Sequence, residues 1–116
     1  MITIYHNPRC GTSRTVLQTL QAKGLDVNVV EYLQKSWTRD ELADLIRDAG
    51  LSVREAIRSK ESLYQELNLA DEGLSDDDLL QAMVAHPILV NRPFVVTERG
   101  TRLCRPADVV EEILPD

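Results

Sequence analysis

Cysteine is scarce in this chain. Cys10 and Cys104 are the only two among 116 residues, too few for a fold stapled by disulfides. They do not form a Cys-x-x-Cys pair, because Ser13 stands where the second cysteine would fall. Their spacing fits no zinc site, and His6 and His86 do not complete one, so no metal is expected. Long apolar runs are also missing. None approaches the roughly 20 residues that span a bilayer, and Met1-Ile2-Thr3-Ile4-Tyr5 is too short and too soon interrupted for a signal peptide. The expectation is a cytoplasmic protein with no membrane partner. The net charge is −6, which argues against a nucleic-acid surface. There is no internal repeat, low-complexity segment or linker, so residues 1–116 are read as one domain.

The charge is unevenly spread. No Asp or Glu precedes Asp26, while Arg9, Arg14 and Lys23 do. Between Arg92 and Arg105 four arginines (Arg92, Arg99, Arg102, Arg105) face one acid, Glu98. Two locally basic segments in an acidic chain can build one basic pocket, or can simply be solvated faces.

Cys10 is the residue with the most chemical meaning. It lies between an apolar run, Met1 to Tyr5, that reads as a strand and an amphipathic run, Arg14 to Lys23, that reads as a helix. A helix start offers unpaired N–H groups and the positive end of the dipole. Both favour the thiolate, the reactive form of cysteine. His6, Arg9 and Arg14 are close in sequence and can add to that effect.

The hydrophobic pattern orders the elements. A strand over 1–5, a helix over 11–23 with Val16, Leu17 and Leu20 on one face, and a strand from Val27 to Tyr32 form a βαβ unit, so the two strands are expected to be parallel. Helices follow. Thr38 to Glu41 and Ser52 to Glu55 fit capping boxes, Leu63 and Leu67 mark a third helical piece, and Ser75 with Asp76-Asp77-Asp78 starts a fourth. Phe94 to Val96 and Thr101 to Cys104 read as a hairpin turning at Glu98-Arg99-Gly100. Pro106 suits the first position of a last helix with Val109, Val110, Ile113 and Leu114 inward. The result is an α/β fold: a thioredoxin-like mixed four-stranded sheet, βαβ…ββα, with a helical insertion at about 38–86. By analogy with that fold, Pro93 is the candidate for a structural cis-proline facing the cysteine helix, which carries Arg92 beside Cys10.

Three long signatures resemble the glutaredoxin-coupled arsenate reductase family. They are His6-Asn7-Pro8-Arg9-Cys10-Gly11-Thr12-Ser13-Arg14, His86-Pro87-Ile88-Leu89-Val90-Asn91-Arg92-Pro93, and Gly100-Thr101-Arg102-Leu103-Cys104-Arg105-Pro106. Tyr32-Leu33 and the stretch from Ser52 to Arg58 also match, so the resemblance runs over essentially the whole chain in one register. Some relatives continue into a longer tail, which is not expected to carry chemistry. The resemblance implies a cytoplasmic oxidoreductase in which Cys10 is the nucleophile and His6 tunes it. By the same resemblance Arg58, Arg92 and Arg105 are expected to hold the arsenate oxyanion, and the backbone amides of Gly11, Thr12 and Ser13 offer further donors at a helix start. The resemblance also implies no tightly bound cofactor, glutathione as co-substrate, glutaredoxin as partner, and a role in arsenic resistance. One compact domain with no evident interface motif makes a monomer the default expectation.

Two other readings stay open. One is a thiol-dependent reductase of another small substrate. The other is a redox-sensing adaptor, which would use a paired-cysteine switch and needs no oxyanion site; Ser13 and the three arginines argue against it. Cys104 alternates with Leu103 in a predicted strand and is expected to be a buried, inert thiol, the competing role being to resolve an oxidised Cys10. His86 and Trp37 are expected to pack at helix ends, and the Asp76-Asp77-Asp78 run to serve the helix start.

Overall fold

In a computed structural model, which describes residues 1–115, the chain forms two compact units. One comprises Met1–Lys35 together with the segment from Arg92 onward, and the other Ser36–Asn91.

The first unit is built on a sheet of four strands: β1 (Ile2–His6), β2 (Val27–Glu31), β3 (Phe94–Thr97) and β4 (Gly100–Leu103). Their order is β2-β1-β3-β4. β1 runs parallel to β2 and antiparallel to β3, and β3 and β4 make an antiparallel hairpin. This is the mixed sheet that the sequence pattern predicted. The crossover between β1 and β2 is α1 (Gly11–Ala22). Its stop is Gly24, whose φ of 71° suits a residue without Cβ and whose N–H donates to Gln21 O. Alternation along β1 buries Ile2, Ile4 and His6, while Ser13, Val16 and Leu20 form the buried stripe of α1. Ile4, Val16 and Leu20 are fully buried and share one core with Val95 and Ile113. Each such side chain contributes about 1.5–3 kcal/mol by leaving water.

Three details differ from the sequence pattern. β2 ends at Glu31, and Tyr32 begins a turn in which Gln34 N donates to Glu31 O. β2 is an edge strand, so Val29 stays 41% exposed instead of packing. The last helix, Ala107–Ile113, is a 3₁₀ helix, and Pro106 precedes it as its N-cap. Val110 and Ile113 face inward at the i, i+3 spacing of that tighter helix, and Val109 is only half-buried.

The second unit is helical: α2 (Arg39–Asp48), α3 (Val53–Ala56), α4 (Ser62–Glu66), α5 (Asp76–Ala85) and a short 3₁₀ turn, Pro87–Leu89. Thr38, Ser52 and Ser75 each close a full capping box. Leu42, Ile46, Leu79 and Met83 are the buried faces of α2 and α5. Trp37 is buried just before α2, as expected of a helix entry. Arg54 ties the following loop down, donating to the carbonyls of Leu69 (2.5 Å) and Asp71 (2.6 Å). Since an N-cap hydroxyl satisfies one otherwise orphaned N–H, Ser75→Ala is expected to lower the unfolding free energy by about 1 kcal/mol. The readout is a lower denaturant midpoint at unchanged slope.

Candidate active site

Strand register explains which groups meet at one end of the sheet. Phe94 pairs with Leu103, so two steps beyond the hairpin Arg92 comes opposite Arg105. Tyr5 pairs with Phe94, so the chain leaving β1 passes beside the segment entering β3. Two hydrogen bonds extend the hairpin here: Cys104 N donates to Pro93 O (2.8 Å), and Arg105 Nη1 donates to Arg92 O (3.0 Å). The Arg92–Pro93 bond is cis, as fold analogy predicted. Arg105–Pro106 is also cis, which the sequence reading did not foresee.

Cys10 occupies the N-cap of α1, with extended φ and ψ of −93° and 121°. Its N–H donates to Asn7 O (3.0 Å) and its carbonyl accepts the first helical bond, from Arg14 N. At an N-cap, a side-chain acceptor meets the N–H groups of the first turn. Cys10 makes no full side-chain cap hydrogen bond, yet the Ser13 N–H lies where it favours the sulfur anion. Arg105 Nη1 is 3.6 Å from Sγ. Burial by itself raises the Cys10 pKa; the Ser13 N–H and the Arg105 and Arg92 side chains outweigh it, and the net shift is downward. Cys10 as a residue is only half-buried.

His6 and Ser13 meet where two otherwise apolar rows end. His6 continues the inward row of Ile2 and Ile4, and Ser13 begins the stripe of Val16 and Leu20. His6 Nδ1 and Ser13 Oγ share a hydrogen bond of 2.6 Å. Ser13 Oγ also accepts the Asn7 N–H (3.1 Å). The Ser13 hydroxyl is thus fully buried and committed to the loop, and what Ser13 presents to the sulfur is its backbone N–H. Burial lowers the His6 pKa; Glu31 opposes this and Arg14 adds to it. His6 is therefore set to be neutral at pH 7, in contact with Ser13. Gly11 opens the helix, exposed, and Thr12 is half-buried beside it.

Arg92 is 6% exposed. Arg58 belongs to the second unit, where Ile57 bridges to Val90, Arg58 N donates to Leu89 O (2.7 Å), and Arg58 Nε pairs with Glu61 Oε1 at 3.1 Å. His86 ends α5 through its backbone N–H, but its side chain is exposed and does not pack as the sequence reading expected. Among the described residues, no group of three or more His, Cys, Asp or Glu side chains is placed to hold a metal ion.

Cys104 differs from Cys10 in every respect that governs reactivity. It is fully buried in the sheet core. Burial, aided by Glu112 and opposed by Arg102, pushes its thiol up to about 12. Reaction of the folded protein with a disulfide reagent at neutral pH is expected to modify Cys10 alone, Cys104 following only on unfolding. Mass spectrometry of peroxide-treated protein is expected to find no Cys10–Cys104 disulfide.

Asn7 is the buried polar residue of this site that the sequence reading passed over. The available signal was an Asn before Pro8, which favours turn initiation.

The ArsC family model matches residues 5–113. A protein named arsenate reductase from Rhizobium meliloti (strain 1021) is 56% identical over 115 residues, covering 99% of this chain and 82% of its own length. One of the same name from Escherichia coli (strain K12) is 54% identical with the same coverage. The solved structure of an arsenate reductase from Vibrio cholerae superposes with a TM-score of 0.93 at 46% identity, over 97% of each chain. With its thioredoxin-like sheet, its cysteine at the head of α1 and this full-length similarity, the chain belongs to the ArsC family.

Proposed function

We propose that this protein is an arsenate reductase in which Cys10 is the nucleophile. The observation that supports it most is a half-buried cysteine at a helix N-cap with Arg105 at 3.6 Å and a lowered pKa. Arsenate is a tetrahedral oxyanion. Arginine presents five N–H donors in a planar fork suited to such an anion, and the N–H groups of Gly11, Thr12 and Ser13 add donors at a helix start. Arg92 and Arg105 supply two cations beside the sulfur. The family resemblance assigns a third to Arg58.

The reaction then runs in four steps. The Cys10 thiolate attacks arsenic(V) and one oxygen departs as water, its protons drawn from solvent. A glutathione thiol displaces a second oxygen as water, leaving arsenic between two sulfurs. A glutaredoxin thiolate attacks the glutathione sulfur. The electron pair of that sulfur–arsenic bond stays on arsenic, which becomes trivalent, and glutathione leaves as a mixed disulfide with glutaredoxin. Hydrolysis of the bond to Cys10 releases arsenite and restores the thiolate. No second cysteine of this chain is needed, in keeping with Ser13 at its position and with the burial of Cys104. One copy of the chain supplies every protein group except the glutaredoxin thiol, so the working unit is a monomer. Dependence on glutathione would fit a cytoplasmic enzyme. No helix among the described residues is long and apolar enough to cross a membrane.

The test is arsenate-dependent NADPH oxidation coupled through glutathione, glutathione reductase and glutaredoxin. Turnover is expected only with all components present. Well-folded protein that gives none, with an active glutaredoxin confirmed, would move the reading to another small substrate or to an adaptor. The pH dependence follows from the Cys10 shift. A thiol with a lowered pKa is ionised above that pKa and protonated as pH falls through it. Alkylation of the substrate-free protein is therefore expected to keep its full rate well below the ordinary thiol range and to fall only on further acidification.

A further inference from the structure

Asn7 is 2% exposed in the loop between β1 and α1. Its backbone N–H donates to Ser13 Oγ (3.1 Å), and its carbonyl accepts the Cys10 N–H (3.0 Å). Any residue except proline can make both contacts. The third contact belongs to the side chain: Asn7 Oδ1 accepts the Arg9 N–H at 3.0 Å. A side chain with a short acceptor can close this two-residue ring, and an aliphatic one cannot. The segment Pro8-Arg9-Cys10 is thus held at successive amides, Arg9 by the carboxamide of Asn7 and Cys10 by its carbonyl. Through its N–H, Asn7 is joined to the same Ser13 hydroxyl that binds His6.

The sulfur depends on where that segment puts it. Its stabilising partners are the Ser13 N–H on the helix side and Arg105 and Arg92 on the hairpin side. Hydrogen bonds weaken steeply with distance and misalignment, and the Arg105 contact, at 3.6 Å, has little slack. A small shift of the loop would cost Cys10 one or more of these partners.

We propose that Asn7 is a positioning residue for the nucleophile: its carboxamide oxygen fixes the turn at Arg9 that leads into Cys10 and so delivers the Cys10 sulfur to the Ser13 N–H and Arg105. The proposal rests on Cys10 being the reacting thiol, and its test needs no arsenate.

The experiment compares the pH dependence of iodoacetamide alkylation for the full chain, Asn7→Ala and Asn7→Ser. The charged and titratable neighbours, Arg92 and Arg105 on the hairpin side and His6 with Glu31 and Arg14 beside it, are the same in all three. Asn7→Ala is expected to raise the alkylation midpoint, so that at a fixed pH below it the rate falls by about five- to tenfold. Serine can close the equivalent turn more weakly, so Asn7→Ser is expected to lie between. A parent-like midpoint in folded Asn7→Ala, with only thermal stability reduced, would overturn the proposal and leave Asn7 a structural residue. If Asn7→Ala does not fold, Asn7→Ser decides on the same readout, a raised midpoint supporting the proposal and a parent-like one overturning it. A parent that alkylates with a low midpoint yet shows no arsenate turnover would defeat the reductase reading while leaving this comparison intact.

Discussion

Cys10→Ser is expected to abolish arsenate turnover, lowering kcat by at least about 10⁴-fold, while leaving the fold intact. Removing a nucleophile costs on this scale in enzymes of comparable logic. A serine hydroxyl is a poor replacement, because no base is placed beside it: His6 is engaged with Ser13 at 2.6 Å, and the groups that act on the sulfur, the Ser13 N–H, Arg105 and Arg92, are hydrogen-bond donors. Stability should move the other way. Position 10 is the N-cap of α1, and serine is among the best residues there. The variant is expected to unfold at the same temperature as the parent or slightly higher, and arsenate is expected still to raise that temperature through the intact arginines. Activity lost together with stability would mean that Cys10 acts through packing, and the nucleophile assignment would fall.

Arg105→Ala should give the second largest effect, with a mixed signature. Arg105 Nη1 serves two acceptors, Cys10 Sγ at 3.6 Å and Arg92 O at 3.0 Å. Its removal takes a cation from the thiolate and a tie from the segment that carries Arg92. Hydrogen bonds to charged groups contribute about 1.5–3 kcal/mol, so kcat/KM for arsenate is expected to fall about 10- to 100-fold. The alkylation midpoint is expected to rise in the same variant, since Arg105 is among the groups that lower the Cys10 pKa. Arg105→Lys should recover part of the midpoint through its charge and little of the KM, because lysine lacks the fork that grips two partners. A raised KM with an unmoved midpoint would make Arg105 a substrate ligand alone.

What the sequence made legible was mostly local. The capping boxes at Thr38, Ser52 and Ser75 were readable because a hydroxyl and an acid three residues apart act on the same turn. The hairpin around Glu98 and Arg99 was readable for the same reason. The final helix was misjudged in type, because its apolar residues fit both the α and the 3₁₀ period, and Pro106 stands outside it. At the site, Cys10 declared itself by its place between strand and helix. The juxtaposition of Arg92 and Arg105 became derivable only once the hairpin register was known. The His6–Ser13 bond follows from two inward rows meeting, a fact of packing that neither row shows alone. Asn7 lay in a loop, where burial has no period to betray it.

The burial of Cys104 has a consequence for supply. Cys10 has no accessible partner thiol in its own unit, so the protein stores no pair of electrons between turnovers. An enzyme of this kind cannot finish even one reduction from its own reserves. Its output would follow the cell's pool of small thiols from moment to moment, slowing whenever that pool is drained by other oxidants. The rate of arsenate clearance would then be regulated outside the protein, at the source of its reductant.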